Sequence, residues 1–117
     1  MNRRAQGAAG EARALQYLQD KGMEPVARNV RCGGGEIDLI VRDGRYLVFV
    51  EVKQRASGRM GQGREAVDAK KRARISRAAL AYLGAQGSLD VPVRFDVVEI
   101  QQGEVRHLPA AFEFTPG

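Results

Sequence analysis

Two runs, Glu36-Ile37-Asp38-Leu39-Ile40 and Phe49-Val50-Glu51-Val52-Lys53, constrain this chain more than any other feature. In both, branched apolar residues alternate with charges, which is the period of a β-strand. Between them lies Arg42-Asp43-Gly44-Arg45, and its Asp-Gly pair is a strong signal for a two-residue hairpin turn. With Asp43-Gly44 as the loop, Arg42 faces Arg45, Ile40 faces Leu47, Asp38 faces Phe49 and Glu36 faces Glu51. Alternation then puts Glu36, Asp38, Glu51 and Lys53 on one face, and Ile37, Leu39, Val48, Val50 and Val52 on the other. Three carboxylates and one ammonium on such a ribbon are costly to bury unless they pair or bind a cation. One extra loop residue without a compensating bulge would turn Asp38 away from Glu51.

At 117 residues the chain reads as one domain, spanning 1–117, with 44% apolar and 28% charged residues. No apolar run approaches the ~20 residues that cross a bilayer, and the N-terminus has no signal-peptide core. The single cysteine, Cys32, excludes an internal disulfide framework and a cysteine-rich zinc site. A cytoplasmic protein is the expectation, without a membrane partner. The net charge of +5 is concentrated: Arg55, Arg59, Arg64, Lys70, Lys71, Arg72, Arg74 and Arg77 face only Glu65 and Asp68 within that stretch. A localised basic segment suits a polyanion, through phosphate contacts and counterion release; a solvated helix face is the plainer alternative.

In chain order, Ala and Leu at 5, 8, 9, 12, 15 and 18 predict a helix from about Arg4 to Lys21, closed by Gly22. Glu11 sits at the margin of that stripe, either reaching water or pointing toward something cationic. Pro25 to Arg31 reads as a strand, and Cys32-Gly33-Gly34-Gly35 lets the backbone turn or bulge into the next. The segment 56–63 reads as a basic loop. A second helix is predicted from Glu65 to about Gly84, where Val67, Lys71, Ile75, Ala78 and Tyr82 share a stripe that puts Lys71 on an apolar face. Val93 to Ile100 reads as a strand parallel to the Glu51 strand, reached by a crossover. Gln102-Gly103 permits a hairpin into Glu104–Leu108, and the tail has no clear period. The fold class is therefore α/β, a mixed central sheet flanked by helices in the order α-β-β-β-α-β-β.

Chemically, Asp38 and Glu51 can ligate one magnesium ion together, with the Val52 carbonyl as a third ligand, because Mg2+ takes oxygen ligands and keeps several waters. Manganese is a substitute. Lys53 stands on the same face, roughly 6–7 Å along the strand from Glu51. Its ammonium can orient an attacking water and balance phosphate charge, while the metal supplies Lewis acidity. Glu36 and Glu11 are further candidates for metal ligation. Arg55, Arg59, Arg64, Lys70, Lys71 and Arg74 are the candidate nucleic-acid contacts. Asp96 reads as a structural hydrogen-bonding acid, His107 as a surface residue and Cys32 as inert.

Ile37-Asp38 followed by Glu51-Val52-Lys53, with the upstream Glu11, resembles the PD-(D/E)XK nuclease superfamily. The helix-then-hairpin order is similar to archaeal Holliday-junction resolvases. Gly34-Gly35-Glu36-Ile37-Asp38-Leu39-Ile40, Val48-Phe49-Val50-Glu51-Val52-Lys53 and Arg94-Phe95-Asp96-Val97-Val98 look like the YraN-like family, small bacterial proteins usually described as predicted endonucleases. This resemblance covers nearly the whole chain. It implies a restriction-endonuclease-like fold and metal-dependent phosphodiester cleavage, with Asp38 and Glu51 as ligands and Lys53 as the catalytic lysine. Ile37 stands where the superfamily has proline, and the three charged positions are intact.

The expectation is a magnesium-dependent endonuclease on DNA, including branched DNA, for which a homodimer is compatible but not marked by any seam. The alternative is a non-catalytic nucleic-acid-binding module. An RNA-recognition sheet, faintly suggested by Arg45-Tyr46-Leu47-Val48-Phe49-Val50, is rejected because Phe49 shares its face with acids instead of stacking aromatics.

Overall fold

The computed structural model describes residues 3–55, 67–87 and 90–115, with side chains from residue 7 onward. Helix α1 (Arg3–Asp20) ends where Gly22, at φ 95°, turns the chain and the Met23 N–H donates to the Leu18 carbonyl at 3.1 Å. Its buried line is Gly10, Ala14 and Leu18, whereas Ala8, Ala9 and Ala12 of the expected stripe are exposed. Gly10 faces the sheet on this line, and a Cβ there would meet the end of the Gln54 side chain.

Strands β1 (Glu24–Cys32), β2 (Gly35–Asp43) and β3 (Tyr46–Gln54) form an antiparallel meander. Helix α2 (Ala69–Ala85) then leads to β4 (Val93–Gln101), parallel to β3, and β5 (Glu104–Phe112) returns antiparallel. The sheet order is β1-β2-β3-β4-β5. Element order, mixed sheet and parallel β3–β4 pairing are those expected, consistent with a restriction-endonuclease-like α/β core. No described helix is long and apolar enough to cross a membrane.

Both sheet faces are covered. Leu39, Val41, Val48, Val50, Val98 and Ile100 pack with Ala14 and Leu18 of α1. On the other side Ile40, Leu47, Phe49, Phe95 and Val97 pack with Ile75, Ala78, Ala79 and Leu83 of α2. Phe49, Phe95 and Phe112 stack in series across three strands at centroid separations of 5.6 and 5.1 Å.

The hairpin register differs from the expected one by two residues. Asp43 pairs with Tyr46 and Ile40 with Phe49, so the turn is Gly44-Arg45 and not Asp43-Gly44. Gly44 takes φ 60° at the first turn position, where type II′ turns favour glycine. Asp43 is held in the strand by Arg94, whose Nη1 lies 2.9 Å from its carboxylate. A shift of two preserves side-chain parity, so Asp38, Glu51 and Lys53 still share a face. Ile37 departs from the expected face: it packs with Ile40 and Phe49 on the α2 side, not with Leu39. The break in alternation comes where β2–β3 pairing ends at Leu39–Val50 and the strands part.

Helix α2 begins later than the expected Glu65, because Asp68 caps it and accepts the Lys71 N–H at 2.9 Å. Residue 65 and the rest of the segment 56–66 lie outside the described residues. The β1–β2 turn packs against the backbone of α2. A Cβ on Gly35 would sit 2.6 Å from the Arg74 carbonyl oxygen, and one on Gly33 would sit 2.8 Å from that of Arg77. Gly35→Ala is therefore expected to push α2 off the sheet and cost about 1–3 kcal/mol. Urea denaturation measures this, and an unchanged midpoint would contradict the close approach.

Strand β5 runs four residues beyond the expected Leu108, to Phe112. It does so through a register shift opposite Asp96, with Ala110 at φ 51°. That irregularity erased any period in the sequence.

Candidate active site

The fork between β2 and β3 is where the charges gather. Beyond Leu39–Val50 the strands no longer pair, and the Val52 N–H donates instead to Asp38 Oδ2 at 2.8 Å. Asp38 thus caps the opened ladder with its side chain. Glu51, with only 7% of its side chain exposed, shares a hydrogen bond with Asp38. Burial and the neighbouring Glu51 charge push the Asp38 carboxyl up to about 7, against the Val52 hydrogen bond, and Glu11 adds to the rise. Glu11, on half-buried α1 surface, therefore contributes its field to this fork.

Two ammonium groups face the carboxylates. Lys71 Nζ lies 2.6 Å from Glu51 Oε1. Burial pulls the Lys71 ammonium down, but its hydrogen bond to Glu51 and the charges of Glu51 and Asp38 outweigh this and raise it. Lys53 goes the other way: burial and the adjacent Lys71 charge lower it, opposed by Glu51. Lys53 is consequently a lysine whose neutral form is made more accessible, next to an acidic pair.

Of the expected residues, Asp38, Glu51 and Lys53 lie together, joined by Lys71 from the α2 stripe. Glu36 lies elsewhere, on the rim. It is in register with Arg31 of β1, and its carboxylate is 3.9 Å from that guanidinium. Beside the fork a groove of about 620 Å³ is lined by Arg31, Gly34, Gly35, Glu36, Lys71 and Arg74. Lys70 and Arg74 are exposed on α2. Arg55 is instead paired inward, its Nε 2.7 Å from a fully buried Glu99 that neighbours Lys53 across β3–β4. Arg59 and Arg64 lie outside the described residues.

Sequence reasoning passed over Glu99, although an acid in Val97-Val98-Glu99-Ile100 was a signal. It also misplaced His107, whose side chain is only 4% exposed. His107 Nε2 lies 2.7 Å from Asp96, which also accepts from Arg94 Nε and Nη2 and from the Ala110 N–H. Burial raises the Asp96 carboxyl, but these partners outweigh it and hold it below its ordinary range. Asp96 is the structural hydrogen-bonding acid expected. Cys32 donates its thiol to the Ala78 carbonyl at 3.1 Å, a packing role.

Among the described residues no three His, Cys, Asp or Glu side chains converge on one point. The donor set is the Asp38–Glu51 pair, and this fits magnesium or manganese, which use one or two carboxylates and fill the shell with water and phosphate oxygens. Lys71 Nζ lies 2.6 Å from one of these carboxylate oxygens.

Residues 10–100 match the model of the uncharacterised protein family UPF0102. The chain is 44% identical over 117 residues to a UPF0102 protein of Geobacter metallireducens, covering 97% of this chain and 96% of that one. It is 52% identical over 103 residues to one of Symbiobacterium thermophilum, covering 88% of this chain and 86% of that one. A third, from Cupriavidus pinatubonensis, is 46% identical over 111 residues, covering 93% of this chain and 86% of the relative. The matched residues take in the fork, its two lysines and the whole of the α2 contact, so this chain belongs to the UPF0102 family.

Proposed function

We propose that the chain is a metal-dependent endonuclease of the PD-(D/E)XK type that hydrolyses DNA phosphodiester bonds, including those of branched DNA. One observation carries this reading: a carboxylate pair, Asp38 and Glu51, faces a lysine whose ammonium is disfavoured, Lys53. A purely structural ion pair has no need of a second carboxylate that is pushed up to about 7. Asp38 and Glu51, with the Val52 carbonyl, would hold Mg2+ or Mn2+, and Glu11 would add negative field. The bound ion would supply Lewis acidity toward a phosphate oxygen. Lys53 holds or takes the proton of a water aligned on the phosphorus, within the field of the Glu51 carboxylate. The groove beside Lys71 and Arg74 receives the flanking backbone.

A second reading, a nucleic-acid-binding module without turnover, is favoured by the Lys71–Glu51 pair, which balances charge with no metal at all. Wild-type protein incubated with linear, flapped and four-way DNA, with magnesium, manganese or chelator, separates the two. The nuclease reading expects ion-dependent cutting. Salt-sensitive binding that ignores chelator, with no cutting of any substrate, would establish the module instead.

A further inference from the structure

Lys71 belongs to two places at once. Its ammonium is on Glu51 at 2.6 Å, and its stem lines the groove with Arg31, Gly34, Gly35, Glu36 and Arg74. The side chain is 39% exposed, against 7% for Glu51, so it reaches the acid from the solvent side. Its root is rigid: Asp68 accepts the Lys71 N–H, and Gly33 and Gly35 allow α2 to sit directly on the β1–β2 turn. What can move is the four-carbon stem, which keeps its rotational freedom.

We propose that Lys71 is an exchangeable counter-ion that neutralises Glu51 until a divalent cation takes that carboxylate, and then turns its ammonium to a nucleic-acid backbone phosphate in the groove. The inference rests on the metal-site reading above. An ammonium on Glu51 Oε1 and a divalent cation on the same carboxylate compete, since their mutual repulsion at such separations is large in a half-buried site. The departing ammonium has a destination. Arg31 and Arg74 make the groove cationic, and Glu36, its one acid, is already turned toward Arg31. Among the described residues, none lies within 4 Å of where a Cβ on Gly34 would stand, so they leave the turn open to a phosphate. Metal and backbone would then bind cooperatively, and linkage requires each to strengthen the other.

The test is Mn2+ affinity by calorimetry on the full chain, without DNA, for wild type, Lys71→Met and Glu51→Gln. Lys71→Met is expected to bind Mn2+ at least about tenfold more tightly than wild type, because the competing cation is gone. Glu51→Gln is expected to lose binding. Equal or weaker binding by Lys71→Met, with wild type binding normally, would overturn the exchange alone. No binding by any of the three would overturn the metal site as well. Lys71→Gln serves as the second variant should Lys71→Met fail to melt cooperatively. The phosphate half is read by anisotropy of a labelled duplex with Ca2+ against chelator. Wild type is expected to gain several-fold more DNA affinity from the ion than Lys71→Met does, and equal gains would overturn it.

Discussion

Asp38→Asn and Glu51→Gln are each expected to lower metal-dependent DNA cleavage by roughly three orders of magnitude. Each removes one of the two anionic donors at the β2–β3 fork, where no third His, Cys, Asp or Glu of the described residues can take over. The loss should come without loss of fold. The amide in Asp38→Asn would retain an oxygen to accept the Val52 N–H. In Glu51→Gln the Lys71 ammonium loses its anionic partner, but that side chain is exposed enough to find water. The double variant should be scarcely worse than either single one, because the two donors act as a unit. Parallel melts establish that the loss is chemical, and a tenfold or smaller loss in either variant would contradict shared ligation.

The second large effect is on stability. Asp38 is raised from 3.8 to about 7 in the folded chain, chiefly by burial and then by Glu51. A carboxyl raised on folding favours the native state when protonated. Its contribution is fully present below pH 3.8 and is lost as pH rises through about 7. In chelator, wild type should therefore lose on the order of 2–4 kcal/mol between pH 4 and 8 through this group. That corresponds to roughly 10 °C in Tm for a chain of this size. Asp38→Asn should remove that component, leaving the variant more stable than wild type at pH 8. Manganese at pH 8 should restore wild type and leave Asp38→Asn nearly unmoved, since a ligand that binds only the native state stabilises it. Asp96 does not confuse the window, because its carboxyl lies below its ordinary range. Superimposable pH–stability curves for wild type and Asp38→Asn would contradict the raised Asp38 carboxyl.

Much of this site could be read from the chain because it depends on parity. A strand sends alternate residues to opposite faces, so Asp38, Glu51 and Lys53 stayed together although the turn moved from Asp43-Gly44 to Gly44-Arg45. Lys71 followed from the helical period, which put it on the line of Ile75 and Ala78 facing the sheet. What escaped the sequence depends on irregular or distant contacts. Ile37 changed faces because the ladder opens at the fork, and Glu36 turned to Arg31, a partner on another strand. His107 stands opposite Val98 on β5 and so reaches Asp96 diagonally across the ladder, and Glu99, opposite Lys53, meets Arg55 across the β3–β4 pairing. The buried line of α1 runs through Gly10, Ala14 and Leu18, a face that the spacing of the alanines did not mark.

The central claim is that Lys53, beside Asp38 and Glu51, serves phosphodiester hydrolysis. The most direct measurement compares wild type and Lys53→Ala, purified in parallel, for cleavage of linear and four-way DNA in magnesium and manganese. The account predicts cutting by wild type that chelator abolishes, and a loss of at least about a hundredfold in Lys53→Ala with an unchanged melting profile. Equal cleavage by both proteins would contradict it.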